Sequence, residues 1–255
     1  MLQAHSFLWH YLWLAPHVLQ LGLAVFIWRR GLHRLFPIFL AYTIVEAIDE
    51  FTLYGLDLTS RIGPLVWWYV FLACLIIEGI LKFAIVGELL FDLLRKFPAI
   101  AQVGSRLIRG TGAVLVLLAT LAAAYAPIDN PQNPLLSRAH ILDEGLYIVQ
   151  CGLLLFLFLF AAHFELKWSR RAFGIALGFG ILSCEHLGAW AIAASGALIE
   201  RRELLDFVNM ATYHVCVLIW GYFFMVSPRS SKNASGSLPE HNLEVWNCEL
   251  ERLLQ

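Results

Sequence analysis

Charged residues are scarce in this 255-residue chain, at 15% Asp, Glu, Lys and Arg, where soluble domains carry about 25%. With 60% of residues hydrophobic and a mean hydropathy of +0.70, too little polar surface remains to cover a water-soluble core. A formal net charge of -1 gives no sign of a general attraction to nucleic acid or to anionic lipid. Cysteine is also sparse. Cys74, Cys151, Cys184, Cys216 and Cys248 fall in apolar spans or in the tail, so no disulfide framework follows. No Lys or Arg precedes the first apolar run in MLQAHSFLWHYLWL, which argues against a cleaved secretory signal and for a retained first span. Catalytic signatures are missing too: there is no HExxH, GxSxG or P-loop, and no Rossmann glycine pattern in a suitable context. The last span has no lysine for a retinal Schiff base, and His214 lacks the HxxxH partner of a ceramidase-type or progestin-receptor-type hydrolase. These absences lean away from an enzyme and leave catalytic residues unassigned.

Long apolar windows are what the chain has instead. A span needs ~20 apolar residues to cross a ~30 Å hydrocarbon core, and seven windows qualify, at about 7–28, 35–58, 65–94, 110–126, 139–164, 172–198 and 204–226. The expected fold is an all-α, multi-pass bundle of seven transmembrane helices over residues 1–226. The loops after spans one, three and five, together with the tail, hold 13 Lys and Arg against 4 in the alternate loops, which predicts the N-terminus outside and the C-terminus inside. Trp67, Trp68, Tyr69 and Trp168 sit where interfacial aromatics belong, and Gly174, Gly178 and Gly180 open span six to close helix contact. Span four, without a charge, reads as a packing or lipid-facing helix before the turn-rich APIDNPQNP.

Residues 227–255 change character. A Ser/Asn/Gly linker to about Gly236 precedes a short helix opened by a Ser237–Glu240 capping box. Leu243, Trp246, Leu250 and Leu253 share a face of that helix, while Glu240, Glu244, Glu249 and Glu251 make it acidic. Membrane-surface helices are normally basic, so the segment 237–255 is expected to dock on a partner protein or to fold back on the chain's own loops.

The most informative stretch is LFPIFLAYTIVEAIDEFTLYGLDL, residues 35–58, which carries Glu46, Asp49 and Glu50 at helical spacings of i, i+3 and i+4. A charge near the bilayer centre costs at least ~2.5 kcal/mol on insertion scales, so this face must look inward to partners, protons or water. In span three, Glu78 and Lys82 stand at i and i+4, the favoured order for a helical ion pair. Lys82 is the lone intramembrane cation, set against Glu46, Asp49, Glu50, Glu78 and Glu185. Excess acid of this kind must be protonated or hold a cation. Asn209 adds a polar group towards the outer side, while Asp143 and Glu144 read as residues matched to the dipole of a helix start. The sharpest alternative is a transition-metal or haem site using His17, His186 and His214 with a neighbouring Glu. His186 and His214 lie in Cys184–His186 and His214–Cys216 pairs, but residues two apart on a helix diverge, so each helix offers one ligand to a common centre.

The segments LWLAPHVLQ, FPIFLAYT, VQCGLLLFLFLF, FGIALGFG and NMATYHVCVLIWGYFF resemble a family of uncharacterised bacterial seven-helix membrane proteins of about 250 residues. That resemblance implies a bacterial inner-membrane location and a shared architecture, and brings no activity, substrate or catalytic residue. The plan also resembles the seven-helix sensor modules that precede signalling kinases. The expectation is therefore a receptor-like sensory module that binds a small ligand, proton or cation in an acid-lined cavity and signals through its tail. Alternatives are the metal- or haem-dependent enzyme, a proton- or cation-coupled transporter using Glu78 and Lys82, and a structural membrane subunit.

Overall fold

The computed structural model describes residues 6–59, 64–125, 134–194, 202–226, 244–248 and 250–252. Among them every regular element is helical: α1 (Phe7–Arg29), a 3-10 turn (Leu32–Arg34), α2 (Pro37–Asp57), α3 (Pro64–Leu93), α4 (Pro98–Tyr125), α5 (Pro134–His163), α6 (Arg170–Ala194) and α7 (Arg202–Met225). Residues 244–248 and 250–252 are helical too, and form the tail helix. The linker, the Ser237–Glu240 box, Leu243, Leu253 and most of the APIDNPQNP turn lie outside the described residues.

Five helices are long and apolar enough to cross a membrane: Phe7–Arg29, Val66–Leu93, Ile141–His163, Arg170–Ile192 and Leu204–Met225. They make the chain an integral membrane protein, and its exposed Leu, Val and Phe side chains are its lipid-contacting surface. α2, with its acids, and α4 are not among the five.

Two helix starts differ from expectation, for the same reason. α4 begins at Pro98 rather than near Gly110, and α5 at Pro134 rather than near 139. Proline is pre-set for the first helical position, where its missing N–H costs nothing. Arg106 consequently lies inside α4 rather than in a loop, and Asp143 lies inside α5, beyond its first turn.

Side-chain pairs fix the helix register. Trp13 meets Glu50 and His10 meets Tyr54, so α1 and α2 are antiparallel. The α3 carboxylate of Glu88 accepts hydrogen bonds from the backbone N–H groups of Ile38 (2.9 Å) and Phe39 (3.0 Å). It thus caps the start of α2, where the first amides of a helix lack partners of their own. α5 and α6 run antiparallel through Asp143–His186 and Phe158–Phe173. In α6, a Cβ on Gly174 or Gly178 would collide with Phe223 or Trp220 of α7, whereas Gly180 has open space around it. Two of the three span-six glycines are therefore close-approach positions. α7 returns to α1, where Trp9 packs edge-on against Phe207 and Tyr213 bonds Gln20, closing the bundle.

The aromatic core lies in the arginine-rich half. Phe39 stacks on Phe224 at 5.5 Å and meets Trp220 edge-on at 5.4 Å, with Phe36, Tyr42 and Phe179 around them. The tail reaches this same end. Asn247, buried, accepts through Oδ1 from the N–H groups of Ala99 (3.0 Å) and Ile100 (3.4 Å), capping α4, and its Nδ2 donates to Glu251. The tail helix thus folds back on its own chain through Asn247, while Trp246 on the expected docking face stays 66% exposed.

Candidate functional site

The stripe Tyr42, Glu46, Glu50 and Tyr54 repeats every four residues along α2, so these side chains follow one face with a slow drift. Opposite it, α1 presents His10, Trp13, His17 and Gln20. The Trp13 indole donates to Glu50 Oε2 at 2.7 Å, Tyr54 and His10 share a hydrogen bond at 3.1 Å, and Trp13 meets Tyr54 edge-on at 5.3 Å. Deeper in, Gln20 Oε1 accepts from the Tyr213 hydroxyl at 2.8 Å and lies 3.3 Å from His17 Nδ1, while His17 stacks on Tyr213. Asp49 lies on the side of α2 next to Cys74 of α3.

Glu46 is the pivotal residue. It is 8% exposed, accepts no hydrogen bond from any described residue, and lies in electrostatic range of Glu78 and Lys82 on α3. Tyr42, one turn away and 1% exposed, has a hydroxyl without a hydrogen-bond partner among the described residues and in range of the Glu46 carboxylate. A buried carboxylate and hydroxyl left open in this way are costly unless another group meets them.

On α3, Lys82 forms the expected ion pair with Glu78. Its ammonium also donates to the Tyr147 hydroxyl at 3.1 Å and lies 4.3 Å from the Tyr147 ring centroid, a cation–π contact. That ring stacks on His186 at 3.9 Å, and His186 Nε2 is 2.8 Å from Asp143 Oδ2. One buried ammonium is thus held by a carboxylate, a hydroxyl and a ring face, with an imidazole–carboxylate pair stacked on the same ring. Glu78 keeps 21% of its side chain accessible against 7% for Lys82, so the pair is open on the acid's side.

Of the expected site residues, Glu46, Asp49, Glu50, Glu78 and Lys82 come together between α1, α2 and α3. Glu185 sits apart on α6 beside His186, with both oxygens buried and unpartnered among the described residues, and Asn209 is half-buried on α7. His17, His186 and His214 have separate settings: His17 on Gln20 and Tyr213, His186 on Asp143 and Tyr147, His214 beside Tyr11. No group of three or more His, Cys, Asp and Glu among the described residues is arranged to hold a metal ion. Asp143 is a hydrogen-bond partner of His186 rather than a residue of a helix start. Tyr147, Trp13, Tyr54, Gln20 and Tyr213 had no site role in the reading of the sequence, although Tyr54 and Tyr147 each follow an Asp–Glu pair. The signal available was their position: each is an aromatic or amide on the same face as a titratable residue three or four positions away.

Comparison of the chain with family models, curated proteins and solved structures finds no significant match.

Proposed function

We propose that the chain is a receptor-like sensory module of seven transmembrane helices, N-terminus outside and C-terminus inside, that takes up a small cation or proton at an acidic cluster and signals to its tail. The cluster is Glu46, Asp49, Glu50 and Glu78, reached from the outer half between α1, α2 and α3. The observation that carries this reading is Glu46: a buried carboxylate, free of hydrogen bonds from the described residues, facing an ion pair that already uses the one ammonium nearby. Excess buried acid of this kind responds to any cation that neutralises it. Neutralisation changes the balance of forces on α3 at Glu78 and Lys82, and α3 runs unbroken from there to Leu93. The turn after it leads into Pro98, where Asn247 caps α4. A shift of α3 therefore has a short mechanical route to the tail. A coupled transporter would use the same Glu78–Lys82 pair, but transporters commonly break helices at the coupling site, and α2 and α3 pass it without interruption.

Amide hydrogen exchange on the full-length protein in nanodiscs tests the coupling. Asn247→Ala should speed exchange at Ala99 and Ile100, whose N–H groups it caps. Glu46→Gln, which mimics the neutralised carboxylate, should alter exchange at the same two amides from the other end of α3. If Glu46→Gln changes exchange only around α2 and leaves Ala99 and Ile100 as in the wild type, the site does not speak to the tail and the sensory reading fails.

A further inference from the structure

Lys82 shows how this protein holds an ammonium. The charged head sits against a carboxylate, a tyrosine hydroxyl and the face of the Tyr147 ring, and the alkyl stem runs back along an apolar helix. At the start of the α1–α2 seam the same kinds of group recur around a second carboxylate. Glu50 has Trp13 on one oxygen and the Trp13 and Tyr54 rings edge-to-face beside it, and His10 closes on Tyr54. One turn deeper lies Glu46, and a further turn on Tyr42, whose hydroxyl has no hydrogen-bond partner among the described residues; both residues are more than nine-tenths buried. Glu50 and Glu46, four residues apart on a helix, are ~6 Å from each other at their Cβ atoms, a separation that one ammonium head can bridge.

We propose that the α1–α2 seam is a binding site for a primary alkylammonium, with the ammonium on Glu50 and Glu46 and the alkyl stem against the rings of Trp13 and Tyr54. The argument for an organic rather than a metal cation is the company of the carboxylates. A small hard cation is best served by a shell of oxygens and by water, whereas indole and phenol rings beside an acid favour a cation with a diffuse charge and an apolar stem. Trp13 spends its N–H on Glu50, which locks the ring in place and orients the carboxylate. Asp49, one residue before Glu50, faces α3 and Cys74 and stays out of the contact. The inference rests on the cation-binding half of the proposed function and is independent of any signal to the tail.

Calorimetric titration of the full-length protein in nanodiscs with n-propylammonium chloride, against sodium chloride at matched ionic strength, tests the site. Wild type should bind n-propylammonium saturably, and sodium should not displace it. Glu50→Gln, which can still accept the Trp13 N–H through its amide oxygen, should weaken binding by roughly a hundredfold through loss of the charge-assisted contact. Trp13→Leu should weaken it roughly tenfold through loss of the ring face. Trp13→Phe, which keeps a ring, should recover most of that loss and so guards against a Trp13→Leu protein that merely packs badly. No saturable binding by wild type, full displacement by sodium, or equal affinity in wild type and Glu50→Gln would each overturn the proposal. Sodium displacement would leave a plain cation site and spare the sensory reading. Failure of the Glu46→Gln exchange coupling would spare this one.

Discussion

Replacing Lys82 by Met removes the ammonium and keeps most of the apolar stem. Glu78 then loses its ion pair, and the Tyr147 hydroxyl loses its donor. Breaking a buried pair by deleting one partner typically costs 3–5 kcal/mol, because the remaining charge is stranded. Glu78 retains 21% accessibility, which lets it recover some solvation or a proton and puts the ion-pair part near the lower bound. The lost contact with the Tyr147 ring adds about 1 kcal/mol, so Lys82→Met should destabilise the bundle by about 4 kcal/mol. The double variant Glu78→Gln/Lys82→Met removes the stranded charge along with its partner and should recover at least about 2 kcal/mol of that loss. Reversible unfolding in mixed detergent micelles by added sodium dodecyl sulfate, followed by circular dichroism, gives both values and the coupling between them. A loss below about 1 kcal/mol for Lys82→Met, or strictly additive effects of the two substitutions, would refute a tightly held ammonium at this place.

Two further variants probe the scaffold around the site. Gly178→Ala drives a methyl group into the fully buried Trp220 indole and should cost about 3 kcal/mol in the same unfolding assay, while Gly180→Ala, with open space around it, should be near neutral. Glu88→Ala strands the N–H groups of Ile38 and Phe39 at the start of α2 and should cost about 3 kcal/mol, with exchange at those two amides accelerated more than elsewhere in α2.

Glu46, Asp49, Glu50, Glu78 and Lys82 were legible as a group because acids in an apolar helix are rare and their spacing fixes the face they share. Their partners were not legible in the same way. Tyr147 and Trp13 sit in apolar runs where an aromatic reads as core, and only the placement of α5 against α3 and of α1 against α2 reveals a hydroxyl on an ammonium and an indole on a carboxylate. The His186–Asp143 pair spans two helices, and the Asn247 cap reaches α4 from the far end of the chain. No periodicity within one helix encodes either contact. The start of α4 was missed for a different reason: Arg106 made residues before 110 look like a loop, although Pro98 opens a helix readily and Arg106, two turns in, keeps its side chain exposed.

The carboxylate of Glu88 on the first amides of α2 bears on how the protein is made. α2 carries the acids and is not among the five helices apolar enough to enter a bilayer on composition alone. It leaves the ribosome before α3, which bears both Lys82, the nearest counter-charge, and Glu88, the group that completes its first turn. The start of α2 is therefore completed only once α3 is in place against it. A chain halted before Lys82 would leave the α2 acids without their nearest counter-charge and its first amides without their cap.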